Sequence, residues 1–87
     1  MASYRVEIKR SAAKELEAIG ARKDRERVAA KILGLAVEPR PVGVEKLTEK
    51  EQYRLRHGNY RILYEIHDAT LLVVVVKIGD RKEVYRR

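Results

Sequence analysis

The sequence predicts an α+β domain in which an N-terminal helical hairpin packs on one face of a small antiparallel β-sheet, in the order β-α-α-β-β-β. Three observations carry this expectation. Tyr4–Lys9 alternates strictly between apolar and polar residues, helical spacing fills the stretch from Ser11 to Val37, and three strand-like runs follow Gln52 with only short turns between them. Eighty-seven residues allow one domain spanning 1–87, and no linker, repeat or low-complexity segment divides it.

The first strand, Tyr4–Lys9, should turn Tyr4, Val6 and Ile8 inward. Ser11 then reads as an N-cap whose hydroxyl accepts from a free backbone N–H, and its helix runs to about Ile19 and stops at Gly20. A second helix starts near Asp24, another capping residue, and continues to about Val37. Its apolar face is Val28, Ala29, Ile32, Leu35 and Ala36. Pro39 ends it, and Pro41 with Gly43 keeps the next segment irregular. Strands at roughly Gln52–His57, Tyr60–His67 and Leu71–Gly79 imply an antiparallel meander through turns at Gly58-Asn59 and Asp68–Thr70. The order of strands in the sheet is left open.

The hairpin Tyr53–Ile66 is the most informative stretch. A two-residue turn at Gly58-Asn59 sets His57 opposite Tyr60 and Arg56 opposite Arg61. Tyr53, Leu55, Tyr60, Ile62, Tyr64 and Ile66 then share the face that meets the helices. Arg54, Arg56, Arg61, Leu63, Glu65 and His67 share the other. A three-residue second turn would send Leu72, Val74, Val76 and Ile78 to the core, with Val73, Val75, Lys77 and Arg81 on the arginine face. A two-residue turn would swap the sets.

Like charges facing each other across a sheet are destabilising, so stacked arginines need a reason. A solvated outer face is the plain reading. Glu65 is the lone carboxylate in the hairpin strand interiors against three guanidiniums, which favours an anion site, most simply for phosphate.

Composition agrees. Twenty Lys and Arg against thirteen Asp and Glu give a net charge of +7, which favours nucleic acid, an acidic surface or an acidic protein. The basic residues crowd the last part of the chain. The absence of cysteine excludes disulfides and thiolate metal sites and fits a reducing, cytoplasmic setting. No signal peptide is visible, and the longest apolar run, Leu71–Val76, is too short to span a bilayer, so no membrane association is expected.

Two elements together resemble the RelE family of toxin endoribonucleases: Gly58-Asn59-Tyr60-Arg61 in the hairpin, and the ending Ile78-Gly79-Asp80-Arg81 with Tyr85. The upstream layout, with Ser11–Leu16 opening the helical hairpin and Pro39-Arg40-Pro41 leading to Lys46-Leu47, is also similar. ParE-like gyrase inhibitors share the wider superfamily. The resemblance implies a type II toxin that cleaves mRNA in the ribosomal A site without a metal or other cofactor. It also implies restraint by a cognate antitoxin in a hetero-oligomer.

In such a reaction the 2′-hydroxyl attacks the adjacent phosphate, leaving a cyclic phosphate and a 5′-hydroxyl. The resemblance casts Arg61 and Arg81 as stabilisers of the phosphorane and Tyr85 as the group that orients or deprotonates the 2′-hydroxyl. Arg54, Arg56 and Lys77 would bind substrate. Arg54 and Arg56 stand where well-studied members carry lysines, and arginine stays charged, so both can grip phosphate but are poor bases. Proton transfer then falls to Tyr85, whose phenol starts near pKa ~10 and drops beside guanidiniums.

Other candidates weigh less. His57 reads as a partly exposed turn residue and His67 as a minor contributor on the arginine face. No His or Cys spacing suits a metal. Tyr60 and Tyr64 read as core, and Glu15, Glu17 and Arg25–Arg27 as solvated helix faces.

Overall fold

In the computed structural model, which describes residues 3–47 and 51–80, the first strand feeds directly into the first helix. Strand β1 spans Arg5–Ile8 and helix α1 spans Arg10–Glu17. Lys9 belongs to both, because its N–H donates to the Val75 carbonyl (3.0 Å) while its own carbonyl accepts from Ala13 N–H (2.8 Å). Lys9 is therefore the N-cap, no side chain caps the helix, and Ser11 lies one residue inside it rather than at its start.

Helix α2 spans Arg22–Gly34 and begins from Ala21, so Asp24 is not the cap but sits in the first turn, where a carboxylate favours the helix dipole. Beyond Gly34 the backbone tightens. Leu35, Ala36 and Val37 donate to the carbonyls three residues back, and Glu38 closes the stretch with a bond to the Gly34 carbonyl four back, which carries helix-like winding to Val37.

The segment expected to be irregular contains a two-residue strand, β2 (Glu45–Lys46). The meander follows as β3 (Gln52–His57), β4 (Tyr60–His67) and β5 (Leu72–Asp80). Strand order is β1-β5-β4-β3-β2. The sheet is antiparallel from β2 to β5, and β1 joins its far side parallel to β5, from Arg5 opposite Leu72 to Ile8 opposite Val75.

The hairpin register is the expected one, with His57 opposite Tyr60 and Arg56 opposite Arg61. Gly58 supplies the positive φ (+58°) that the first turn position requires. The second turn departs from both expected lengths. Asp68–Thr70 forms a single 3-10 turn, Leu71 takes a left-handed φ of 51°, and His67 pairs with Leu72 across a four-residue loop.

That loop sends Val73 and Val75 to the core. A β-bulge then resets the alternation: Tyr64 pairs with Val75 and Leu63 with Lys77, which leaves Val76 unpaired. Ile78 returns to the core, and Lys77 shares the outer face with Leu63. Neither expected register holds for the whole strand.

The core lies between the helices and one sheet face. Ala12, Ile19, Val28, Ile32 and Leu35 meet the hairpin residues Tyr53, Leu55, Ile62, Tyr64 and Ile66. Tyr64 is fully buried, stacks on Tyr53 (centroids 5.8 Å apart) and donates its hydroxyl to the Pro39 carbonyl at 2.7 Å. Tyr4 and Val6 pack against this core. Ile8 shares their side but stays 38% exposed, because it ends the outermost strand.

Arg40 staples the sheet's other end. Its guanidinium pairs with Asp68 (2.8 Å), donates to the Tyr53 hydroxyl (3.1 Å) and lies over the Tyr53 ring. Asp68 also accepts from the Tyr4 hydroxyl at 2.6 Å. The Arg40 and Tyr4 hydrogen bonds hold the Asp68 carboxyl down at about 2.

Candidate functional site

The outer face of the sheet, opposite the helices, divides into a cationic end near Gly58 and a mixed end near His67. Period-2 alternation in β3 and β4 places Arg54, Arg56 and Arg61 on it together. Two cross-strand rows make up the cationic end. One runs Glu45–Arg54–Leu63–Lys77, and the next runs Arg56–Arg61–Gly79.

In the first row both cations have carboxylate partners. Arg54 donates from Nε and Nη2 to Glu45 Oε1, at 3.0 and 2.8 Å. Lys77 Nζ reaches Glu15 of α1 at 2.9 Å. The Arg54 hydrogen bonds hold the Glu45 carboxyl below the usual range, and the charges of Arg56 and Arg61 add to this.

The second row is different. Among the described residues neither Arg56 nor Arg61 makes an ion pair or hydrogen bond, although the two face each other directly. Arg61 is half-buried and Arg56 exposed. On Arg61's other flank Gly79 adds no side chain. Two adjacent guanidinium forks with no acceptor among the described residues have the donor geometry that suits a dianion or a diester.

Glu65, the expected neutraliser, stands at the far end. It bonds His67 Nε2 (3.1 Å) and Gln52 Nε2 (3.5 Å), so it touches none of the arginines. His67 is thereby tied to Glu65 and lies away from Arg61. His57 is half-buried, as a turn residue on the helix side of the sheet. Arg81 and Tyr85 lie outside the described residues.

Three residues matter in ways the sequence hid. Glu45 neutralises Arg54, which follows only from a two-residue strand with no pattern of its own. Glu15 is not a solvated helix residue, because it holds both Lys77 and the Ile78 backbone N–H. Arg25 also departs from that expectation by capping the Ile19 carbonyl at 2.8 Å.

Two hollows flank the site on the helix side. A groove of about 400 Å³ runs between α2 and the 38–42 segment, floored by Leu35 and Leu55 and edged by Arg27 and Lys31, with His57 at one end. A smaller cavity of about 190 Å³ lies between the end of α1, Tyr60 and Asp80. Burial first, and then the charges of Asp24 and Asp80, push the Tyr60 phenol up, so it is no candidate base. Among the described residues no group of three or more His, Asp or Glu is placed to hold a metal ion. No helix among them is long and apolar enough to cross a membrane.

Comparison with known proteins gives a consistent picture. The family described as ParE toxin of the type II toxin–antitoxin system parDE matches residues 6–85. A curated relative, toxin RelG of Mycobacterium tuberculosis, is 32% identical over 77 residues, covering 77% of this chain and 88% of the relative. A chain of the toxin–antitoxin complex RelBE2 from the same organism superposes with a TM-score of 0.80 at 27% identity, over 93% of this chain and 94% of the other. The isolated RelE toxin of E. coli superposes with a TM-score of 0.78 at 25% identity, over 95% and 92%.

Proposed function

The chain belongs to the RelE/ParE superfamily of type II toxins, as a RelE-family toxin, and on that premise we propose that it is a ribosome-dependent endoribonuclease. Its substrate is mRNA in the ribosomal A site, and it works in the cytoplasm without a metal. The observation that carries this reading is the Arg56–Arg61 pair, which has no carboxylate partner among the described residues.

The 2′-oxygen forms a bond to the adjacent phosphorus while the bond to the 5′-oxygen breaks. Charge gathers on the non-bridging oxygens of the phosphorane. Arg61 grips them, Arg56 supports it, and Arg81 adds a third charge. Arg54, already paired to Glu45, forms the flank that binds the neighbouring backbone, while Glu15 holds Lys77 back from it. Tyr85, as its phenolate, takes the 2′-hydroxyl proton, and the departing 5′-oxygen takes a proton from water to leave as a 5′-hydroxyl. Because arginine holds its protons, Tyr85 carries the proton transfer, and the ribosome supplies much of the alignment.

The cognate antitoxin is the protein partner, and the two form a hetero-oligomer. The groove beside α2 suits an acidic amphipathic segment: apolar below and edged by Arg27 and Lys31, with Val42 wholly exposed at its margin.

Primer extension after induction tests the activity. Codon-periodic cuts that vanish in Arg61→Ala, Arg81→Ala and Tyr85→Phe are expected. If Arg81→Ala and Tyr85→Phe both stay fully toxic, the assigned chemistry is wrong. The match to a family described as ParE toxin favours a second reading, inhibition of gyrase. Intact transcripts with an induced DNA-damage response would select it.

A further inference from the structure

We propose that Glu15 is a positioning residue of the cationic face, acting through β5 on both the geometry and the charge presented to RNA. The kinetic part of this rests on the ribonuclease reading, and the rest does not.

Strand β1 stops at Ile8, opposite Val75, and leaves the outer edge of β5 uncovered beyond that point. The Ile78 N–H points away from β4 and donates to Glu15 Oε1 at 2.8 Å. The other oxygen of the same carboxylate takes Lys77 Nζ at 2.9 Å. A helix side chain thus continues the edge where the strand ends, and it does so directly after the bulge at Val76.

Two consequences follow. A bulge bends and twists its strand, so the anchor on Ile78 fixes the course of the chain as it passes Arg61, whose cross-strand neighbour is Gly79. Loss of the anchor moves the backbone beside Arg61 without touching any arginine. The second consequence is electrostatic. A lysine already neutralised by a carboxylate displaces no counterion from the RNA, so Glu15 keeps Lys77 out of the RNA-binding charge count. The anion meets Arg56 and Arg61 instead.

Glu15→Gln and Glu15→Ala separate the two. Glutamine keeps an oxygen for the Ile78 N–H but drops the charge facing Lys77, whereas alanine loses both. The probe is a short oligouridylate, with affinity measured against salt. Glu15→Gln should steepen the log–log slope by about 0.7, the share of one released lysine on a single strand. Lys77→Met should leave the slope of the parent unchanged and cancel the steepening in the Glu15→Gln background. Amide exchange at Ile78 should accelerate in Glu15→Ala and not in Glu15→Gln. In ribosome-bound cleavage, Glu15→Ala should lower kcat about tenfold at little-changed KM, with glutamine restoring most of it.

An unchanged slope in Glu15→Gln, or a slope lost on Lys77→Met alone, overturns the electrostatic role. A parental kcat or parental Ile78 exchange in Glu15→Ala overturns the mechanical one. If Glu15→Ala does not fold, Glu15→Gln decides by its slope and by its own Ile78 exchange, which must stay parental. A parent that cuts no mRNA would sink the ribonuclease reading while leaving the slope and exchange results to judge Glu15.

Discussion

Replacing Arg56 with glutamine should stabilise the fold while weakening RNA binding. Directly paired residues of an antiparallel sheet have Cα atoms roughly 4.5–5.5 Å apart, and like charges so placed cost about 0.2–1 kcal/mol. Arg56 and Arg61 are such a pair, and their field also reaches Glu45, which offsets part of the repulsion. A net gain of about 0.5 kcal/mol is therefore expected for Arg56→Gln. In a domain of 87 residues that raises Tm by about 2–4 °C. Circular dichroism melts at low salt should record it. At 1 M salt, where the Debye length falls to about 3 Å, the gain should shrink towards zero. Oligouridylate affinity should fall, with a salt slope shallower by about 0.7. A variant that melts lower than the parent, or whose gain ignores salt, would show that Arg56 is satisfied within the protein, and the anion-site argument would fail.

Other outcomes follow from the same structure. Tyr64→Phe removes the buried donor to the Pro39 carbonyl and should cost about 1–2 kcal/mol, read from the shift of the urea midpoint. Asp68 has its pKa lowered from 3.8 to about 2, so its contribution to stability is complete above pH 3.8 and is lost as pH falls towards 2. Asp68→Asn should flatten that acid limb in urea midpoints measured across this window, and an unaltered limb would count against the Arg40 staple. Val42→Glu places a negative charge at a fully exposed edge of the groove, and should weaken antitoxin binding about tenfold by calorimetry with little change in Tm.

The hairpin was readable because its alternation is clean and Gly58 marks the turn, so Arg54, Arg56 and Arg61 fall on one face by parity alone. The last strand resisted the same logic. Four consecutive valines, Val73–Val76, give no parity to read, and the bulge within them answers to packing against Tyr64 rather than to any local preference. Leu71 in the left-handed region is equally silent, since leucine carries no turn signal. Helix starts were misplaced at Ser11 and Asp24 because backbone connections set them and no side-chain cap is used. Of the site, the cations were legible and their partners were not. Glu15 and Glu45 are brought in by tertiary packing and by a strand too short to leave a pattern.

The parallel pairing of β1 with β5 has a consequence for biogenesis. Strand β5, which lies between β1 and β4, is made after both of these neighbours, and the contact between Arg5 and Leu72 joins residues far apart in the chain. Until residue 80 has cleared the exit tunnel, β1 has no partner and β4 a bare flank, so a nascent toxin stays unassembled on the ribosome that makes it. Synthesis is thereby separated from folding, leaving an interval in which an antitoxin can meet the chain before it is complete.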